Sequence, residues 1–150
     1  MKYLLDASAL IPLLLDLGEK VLEIATKAQL YATDLTLYEI GNGLWKLVAL
    51  LKVMDLEDAL ELMDVVQVLV AKEFLKVVSY RELDLKKALE LAIRERLTLY
   101  DTTYIIAAVS LNATLVTEDE RLRDKASKYV ATTTYTSFKQ RALTKVDTLA

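Results

Sequence analysis

Tyr3-Leu4-Leu5-Asp6-Ala7-Ser8 is a short apolar run that stops at a carboxylate and continues in helix-forming residues. A buried strand that finishes on an acid must supply a partner for it, because a desolvated carboxylate is costly unless paired. The handover from a strand-like to a helix-like run recurs at three acids: Glu39 in Leu37-Tyr38-Glu39-Ile40-Gly41-Asn42, Asp101 in Leu99-Tyr100-Asp101-Thr102-Thr103-Tyr104, and Asp119 in Val116-Thr117-Glu118-Asp119. In open α/β folds the carboxyl ends of the strands converge on one crevice. Four carboxylates gathered there repel one another unless something positive sits between them. A divalent cation is the natural candidate.

Working outward, short apolar runs alternate with longer helical stretches. Strands are expected over 2–6, 29–33, 76–79, 114–117 and 129–132, where Val, Tyr, Leu and Thr are frequent. Helices are expected over 8–15, 19–28, 37–52, 56–72, 83–95, 102–111 and 120–128. This alternation implies parallel βαβ units, with helices on both faces of a sheet. The two longest helices are consecutive and read as an αα-hairpin inserted over about 37–72. Its stripe of Leu44, Leu47, Val48, Leu51, Leu60, Met63 and Val66 serves either the core or a partner chain. The expectation for 1–150 is a single α/β domain.

Composition narrows the chemistry. The chain has 150 residues, 54% hydrophobic, with three Gly and one Pro, which argues against disorder. The apolar stretch from Leu44 to Met54 is interrupted by Lys46 and Lys52, so no membrane span is expected. Asp6 interrupts the start of the chain too early for a cleavable signal, which points to the cytoplasm. There is no Cys, hence no thiolate nucleophile or zinc site, and no His, hence no Ser-His-Asp triad. Reactive groups must come from carboxylates, hydroxyls, Lys, Arg, Tyr or a metal. A net charge of −3 argues against binding polyanions by bulk electrostatics, but leaves room for a nucleic-acid enzyme whose acids are masked by metal.

Each acid also has an ordinary role. Asp6 is placed to cap the backbone near Ser8. Thr36-Leu37-Tyr38-Glu39 fits a capping box. Against that, Glu39, Asn42, Gly43 and Lys46 fall at i, i+3, i+4 and i+7, a polar stripe resembling a site wall that admits a substrate. Asp101 directly precedes an apolar helix it can cap, and that helix points its N-terminus into the crevice. Thr117 with Glu120 fits another capping box, which leaves Asp119 free; Glu118 is an alternative ligand. Arg94 and Arg96 lie upstream of Asp101, where they either meet phosphates or remain solvated. Arg121, Arg123 and Lys125 read as a solvated face.

The order Asp6, Glu39, Asp101, Asp119, within Leu5-Asp6-Ala7-Ser8-Ala9-Leu10, Glu39-Ile40-Gly41-Asn42-Gly43-Leu44, the run from Leu97 to Ala108, and Leu115-Val116-Thr117-Glu118-Asp119-Glu120-Arg121-Leu122, resembles the PIN-domain ribonucleases. The VapC-type toxins of toxin–antitoxin pairs are the nearest likeness. Thr102 and Thr103 depart from the small apolar residues usual there. The resemblance implies a three-layer α/β/α sandwich with a central parallel sheet and endonucleolytic cleavage of RNA with Mg²⁺ or Mn²⁺. It also implies a homodimer and an antitoxin partner. Asp6, Asp101 and Asp119 are then metal ligands, and Glu39 binds a second metal or holds the attacking water. Ser8, Asn42, Thr117 and Glu118 stand behind them, and Lys46, Arg94 and Arg96 bear on phosphates. A catalytically silent RNA- or protein-binding scaffold is the alternative. An aspartyl-phosphate phosphatase would need Asp-x-Asp after the first strand, and residue 8 is Ser.

Overall fold

The structure, a computed structural model, describes residues 1–147, with the side chains of 19 and 145–147 excepted. Five parallel strands form one sheet in the order β3-β2-β1-β4-β5: β1 (Lys2–Leu5), β2 (Gln29–Thr33), β3 (Leu75–Val78), β4 (Thr114–Val116) and β5 (Thr132–Thr133). Successive strand residues face opposite sides. Tyr3, Leu5, Leu30, Ala32 and Leu75 therefore enter one core, and Leu4, Tyr31 and Leu115 the other. The first core is covered by α1 (Ala7–Leu17), α2 (Val21–Ala25), α3 (Asp34–Trp45), α4 (Leu56–Ala71) and α8 (Tyr135–Asp147). The second is covered by α5 (Leu85–Glu95), α6 (Leu99–Leu111) and α7 (Glu120–Ala126). This is the expected three-layer α/β/α sandwich.

The strand order explains where the acids meet. β1 lies between β2 and β4, so chain direction across the sheet reverses beside β1, and that switch point opens a crevice beyond the strand ends. Asp6 follows β1 directly, and Asp119 lies just beyond β4.

Several boundaries differ from expectation. α3 begins at Asp34, directly after β2, because Thr33 caps it: its hydroxyl accepts from the Thr36 amide, and the Thr33 amide donates back to the Thr36 hydroxyl. That box displaces the expected one at Thr36–Glu39, and Thr36 is buried as part of the cap. Past Trp45 the helix widens into a π turn over Lys46–Leu50, closed by the Leu51 amide donating to the Lys46 carbonyl at 2.9 Å. The 19–28 helix is shorter, a 3₁₀ turn at Gly18–Lys20 followed by α2. β5 starts three residues later than expected, and helix α8 had no counterpart in the sequence reading.

The hairpin stripe divides between its two readings. Leu44 and Val66 are buried, Leu47, Val48 and Met63 are half-buried against the core, and Leu51 and Leu60 are exposed. Among the described residues no helix is long and apolar enough to cross a membrane.

Candidate functional site

Asp6 is the N-cap of α1 and is buried, with 5% of its surface exposed. Its Oδ1 accepts from the Ser8 hydroxyl at 2.6 Å and the Ala9 amide at 3.0 Å; its Oδ2 accepts from the Thr117 hydroxyl at 2.5 Å. A carboxylate offers about four acceptor positions, so one remains on Oδ2. Burial pushes the Asp6 carboxyl up to about 6, against the three hydrogen bonds, which lower it. The charge of Glu39 adds only the smallest upward push. Crowding among the acids is therefore secondary to desolvation.

Glu39 lies on α3, half-buried, and its Oε2 accepts from the hydroxyl of Tyr104 on α6. The Tyr104 oxygen in turn accepts from Thr36 Oγ1 at 3.3 Å. Burial and the adjoining Glu39 raise the Tyr104 phenol far above its ordinary value, so it stays a proton donor. The sequence reading passed over Tyr104. Its signal was the i, i+3 spacing from Asp101, which puts both on one face of α6. Asn42 and Lys46 line the same pocket as Glu39. Gly43 does so too, and a Cβ there would run into the end of the Ile11 side chain on α1, so the missing side chain also leaves room for Ile11.

Asp101 does not precede α6 but sits in its first turn. Thr98 is the cap, with its hydroxyl accepting from the Asp101 amide at 3.1 Å while Asp101 Oδ2 accepts from the Thr98 amide at 3.4 Å. Asp119 is itself the N-cap of α7, with Oδ1 accepting from the Leu122 amide at 2.9 Å, so the expected Thr117–Glu120 box does not form. Thr117 instead joins the two halves of the site, donating to Asp6 and accepting from the Asp119 amide at 3.0 Å. Glu118 is turned away: its Oε1 accepts from the Tyr135 amide at the start of α8 at 2.5 Å, while its own amide donates to Ser8 Oγ at 2.8 Å.

Asp6, Glu39, Asp101 and Asp119 line one pocket of about 310 Å³ together with Ser8, Asn42, Lys46 and Tyr104. Arg94 and Arg96 do not line it. The Arg94 guanidinium lies 5.8 Å from the Tyr129 ring centroid, and the Arg96 carbonyl accepts from the Arg121 guanidinium. The neighbouring Glu95, 7% exposed, is held by Lys128 at 2.8 Å, Lys125 at 3.6 Å and the Tyr129 hydroxyl at 2.5 Å. Those contacts, Lys128 foremost, depress its carboxyl to about 2.

The donor set suits a hard divalent cation. Every acid in the pocket carries oxygen donors, and none forms an ion pair with Lys or Arg among the described residues. Glu39 Oε1, Asp101 Oδ1 and Asp119 Oδ2 accept no hydrogen bond among the described residues. Among those residues no three acids stand close enough to grip one ion together.

Comparisons with known proteins agree with this architecture. Residues 3–128 match the PIN domain family. Ribonuclease VapC3 of Pyrobaculum aerophilum is 34% identical over 130 residues, covering 83% of this chain and 95% of that protein. Exonuclease VapC9 of the same organism is 34% identical over 125 residues, covering 83% and 86%. The crystal structure of PAE2754 from Pyrobaculum aerophilum superposes with a TM-score of 0.71 at 28% identity, over 96% of this chain and 99% of that one. VapBC-1 from nontypeable Haemophilus influenzae shares the fold, with a TM-score of 0.56 at 18% identity over 91% of this chain and 99% of that chain. With four acids lining one pocket at the sheet's switch point and a family match across residues 3–128, the chain belongs to the PIN-domain family.

Proposed function

We propose that this protein is a divalent-metal-dependent endoribonuclease, the toxin of a VapBC-type toxin–antitoxin pair, acting as one PIN unit over 1–150. The observation that carries the reading is the convergence of Asp6, Glu39, Asp101 and Asp119 on one polar pocket in a chain of this family. PIN nucleases generally use a divalent cation, and Mg²⁺ or Mn²⁺ suits these oxygen donors. Asp6, Asp101 and Asp119 would hold it, directly or through its bound waters, with Glu39 placed for a second ion or the attacking water. When bound, the cation lowers the pKa of water and stabilises charge on the phosphodiester.

The chain's own residues do the rest. Ser8, Thr117 and the Ala9 amide fix both oxygens of Asp6, so its remaining acceptor position has one direction. Tyr104 fixes Glu39 and leaves its other oxygen toward the pocket as a proton acceptor. Lys46 and Asn42 offer the pocket an ammonium and an amide for phosphate oxygens. A homodimer, an antitoxin partner and a cytoplasmic location complete the proposal; the VapC-named relatives support the toxin assignment from which the antitoxin partner follows. The convergence of all four acids on the pocket supports the nuclease over the silent-scaffold reading.

The test uses a circular single-stranded RNA, which only an endonuclease can open. Wild type should open it with Mg²⁺ or Mn²⁺, and Asp6→Asn or Asp101→Asn should slow this by more than about a hundredfold. Equal cleavage in excess EDTA overturns the metal role, and digestion of linear RNA alone overturns the endonuclease assignment.

A further inference from the structure

A second groove, of about 710 Å³, shares the lining residue Asp119 with the acid pocket. Arg121, Arg123, Ser127 and Thr132 line it beside Asp119. Asp119 is thus the residue at which the groove adjoins the four acids. We propose that Arg121 and Arg123 form a phosphate-binding subsite for the stretch of single-stranded RNA adjoining the scissile linkage. The proposal rests on the nuclease reading above.

The state of the basic residues around the groove selects these two. Lys125 and Lys128 are spent on Glu95, and Arg94 lies over the Tyr129 ring. Arg121 and Arg123 meet no carboxylate at ion-pair distance among the described residues. Backbone carbonyls hold them instead: Arg123 Nη1 donates to the Thr117 carbonyl at 3.1 Å, and Arg121 Nη2 donates to the Arg96 carbonyl. A neutral carbonyl orients a guanidinium without cancelling its charge. One of five N–H donors is used on each, and the rest of the fork stays available for the bidentate contact that phosphate favours.

Glu120 and Asp124 also line the groove, so its attraction for RNA is local and geometric. That sets a quantitative signature. Two phosphate contacts on a single strand give a shallow salt dependence, about 0.7 in log Kd per log salt for each contact. Because phosphates carry no sequence, losing either arginine should weaken all sequences alike.

The experiment measures binding of two short single-stranded oligoribonucleotides of different sequence, by fluorescence anisotropy in EDTA across a salt series. Wild type, Arg121→Gln, Arg123→Gln and the double variant are compared. Gln at 123 keeps a donor for the Thr117 carbonyl, and melting temperatures check the fold; if that variant unfolds, Arg121→Gln carries the test. The expected result is several-fold weaker binding to both RNAs, with the salt slope falling by about 0.7 per arginine. Unchanged affinity and slope in a double variant whose wild type cleaves RNA overturn the subsite and leave the nuclease reading intact. A loss confined to one sequence overturns phosphate contact. A wild type that neither binds nor cleaves RNA removes the nuclease reading and the subsite with it.

Discussion

Replacing Asp6 with Asn should make the metal-free protein more stable at neutral pH while destroying its proposed activity. The folded carboxyl titrates near 6 against 3.8 for the free side chain, and desolvation is the main cause. Because the folded value is the higher one, the folded state binds more protons than the unfolded chain between 3.8 and about 6. The stability Asp6 contributes is therefore fully present below 3.8 and is lost as pH rises through about 6. At 1.36 kcal/mol per pH unit the loss is about 3 kcal/mol. Asn keeps the local bonds. Its oxygen accepts from Ser8 and the Ala9 amide, and its amide donates to Thr117 Oγ1, whose own proton can turn to Ser8 Oγ, 3.4 Å away. For a chain of this length 1 kcal/mol shifts Tm by about 2–4 °C. Asp6→Asn should then melt roughly 6–12 °C above wild type near pH 7.5, the gap closing as pH approaches 4. Circular dichroism melts in excess chelator across that range measure it. A Tm difference that does not vary with pH would refute the assignment of the strain to a desolvated Asp6 charge.

Other perturbations follow from the same geometry. Tyr104→Phe removes the donor to Glu39 and should cut RNA cleavage by about 10–100-fold. In that background Glu39→Gln should cost much less than it does in wild type, and undiminished, additive losses would contradict the pairing. Asp101→Asn keeps an oxygen for the Thr98 amide, so the apo melting temperature should shift by only about 0.5–1 kcal/mol equivalent; a drop of many degrees would assign Asp101 mainly to capping. Glu95, whose folded carboxyl is lowered to about 2, contributes stability above its ordinary 4.5 that disappears as pH falls toward 2. In acid melts Glu95→Gln should show a smaller loss than wild type across that window, and parallel curves would argue against the Lys128 pairing. Phe138→Ala empties a fully buried position where Phe138 meets the Tyr3 ring edge-on at 4.8 Å. The expected cost is about 3–5 kcal/mol, and a denaturant midpoint near wild type would mean α8 is not docked in solution.

The strands and their acids were legible because their signals are local. Val, Leu and Tyr runs ending on Asp6 or before Asp119 announce the sheet edge that gathers them. Capping was harder, since competing boxes overlap. Thr33 and Thr36 cap α3 by paired hydroxyls, a pattern the Ser/Thr-x-x-Glu signature does not cover, and so the Glu39 box was placed one turn late. Asp119 was read as free because Thr117 looked like the cap, while Thr117 was already committed to Asp6 across the sheet. Contacts of that range leave no trace in spacing. The same holds for Tyr104, whose phenol meets Glu39 from another helix, and for Glu118, held by the amide of Tyr135. α8 escaped notice because its sequence, Tyr135-Thr136-Ser137-Phe138-Lys139, carries β-branched and polar residues of weak helix propensity. Its docking rests on tertiary contacts, with Tyr135 and Lys139 both bonded to Asp16.

The π turn after Trp45 also holds one residue more than an α-helical turn. Lys46, where it begins, lines the acid pocket, and the exposed residues Leu50, Leu51 and Val53 follow it at the hairpin tip. Each residue in an α-helix advances the chain by about 100°. Removing one residue between 47 and 50 would let the segment close as ordinary α-helix, and because a π turn holds one residue more than an α turn, the chain after it would keep nearly its present phase. The hairpin tip and the acid pocket should then both keep their places, so this segment can lose a residue without turning the hairpin surface away from the acids.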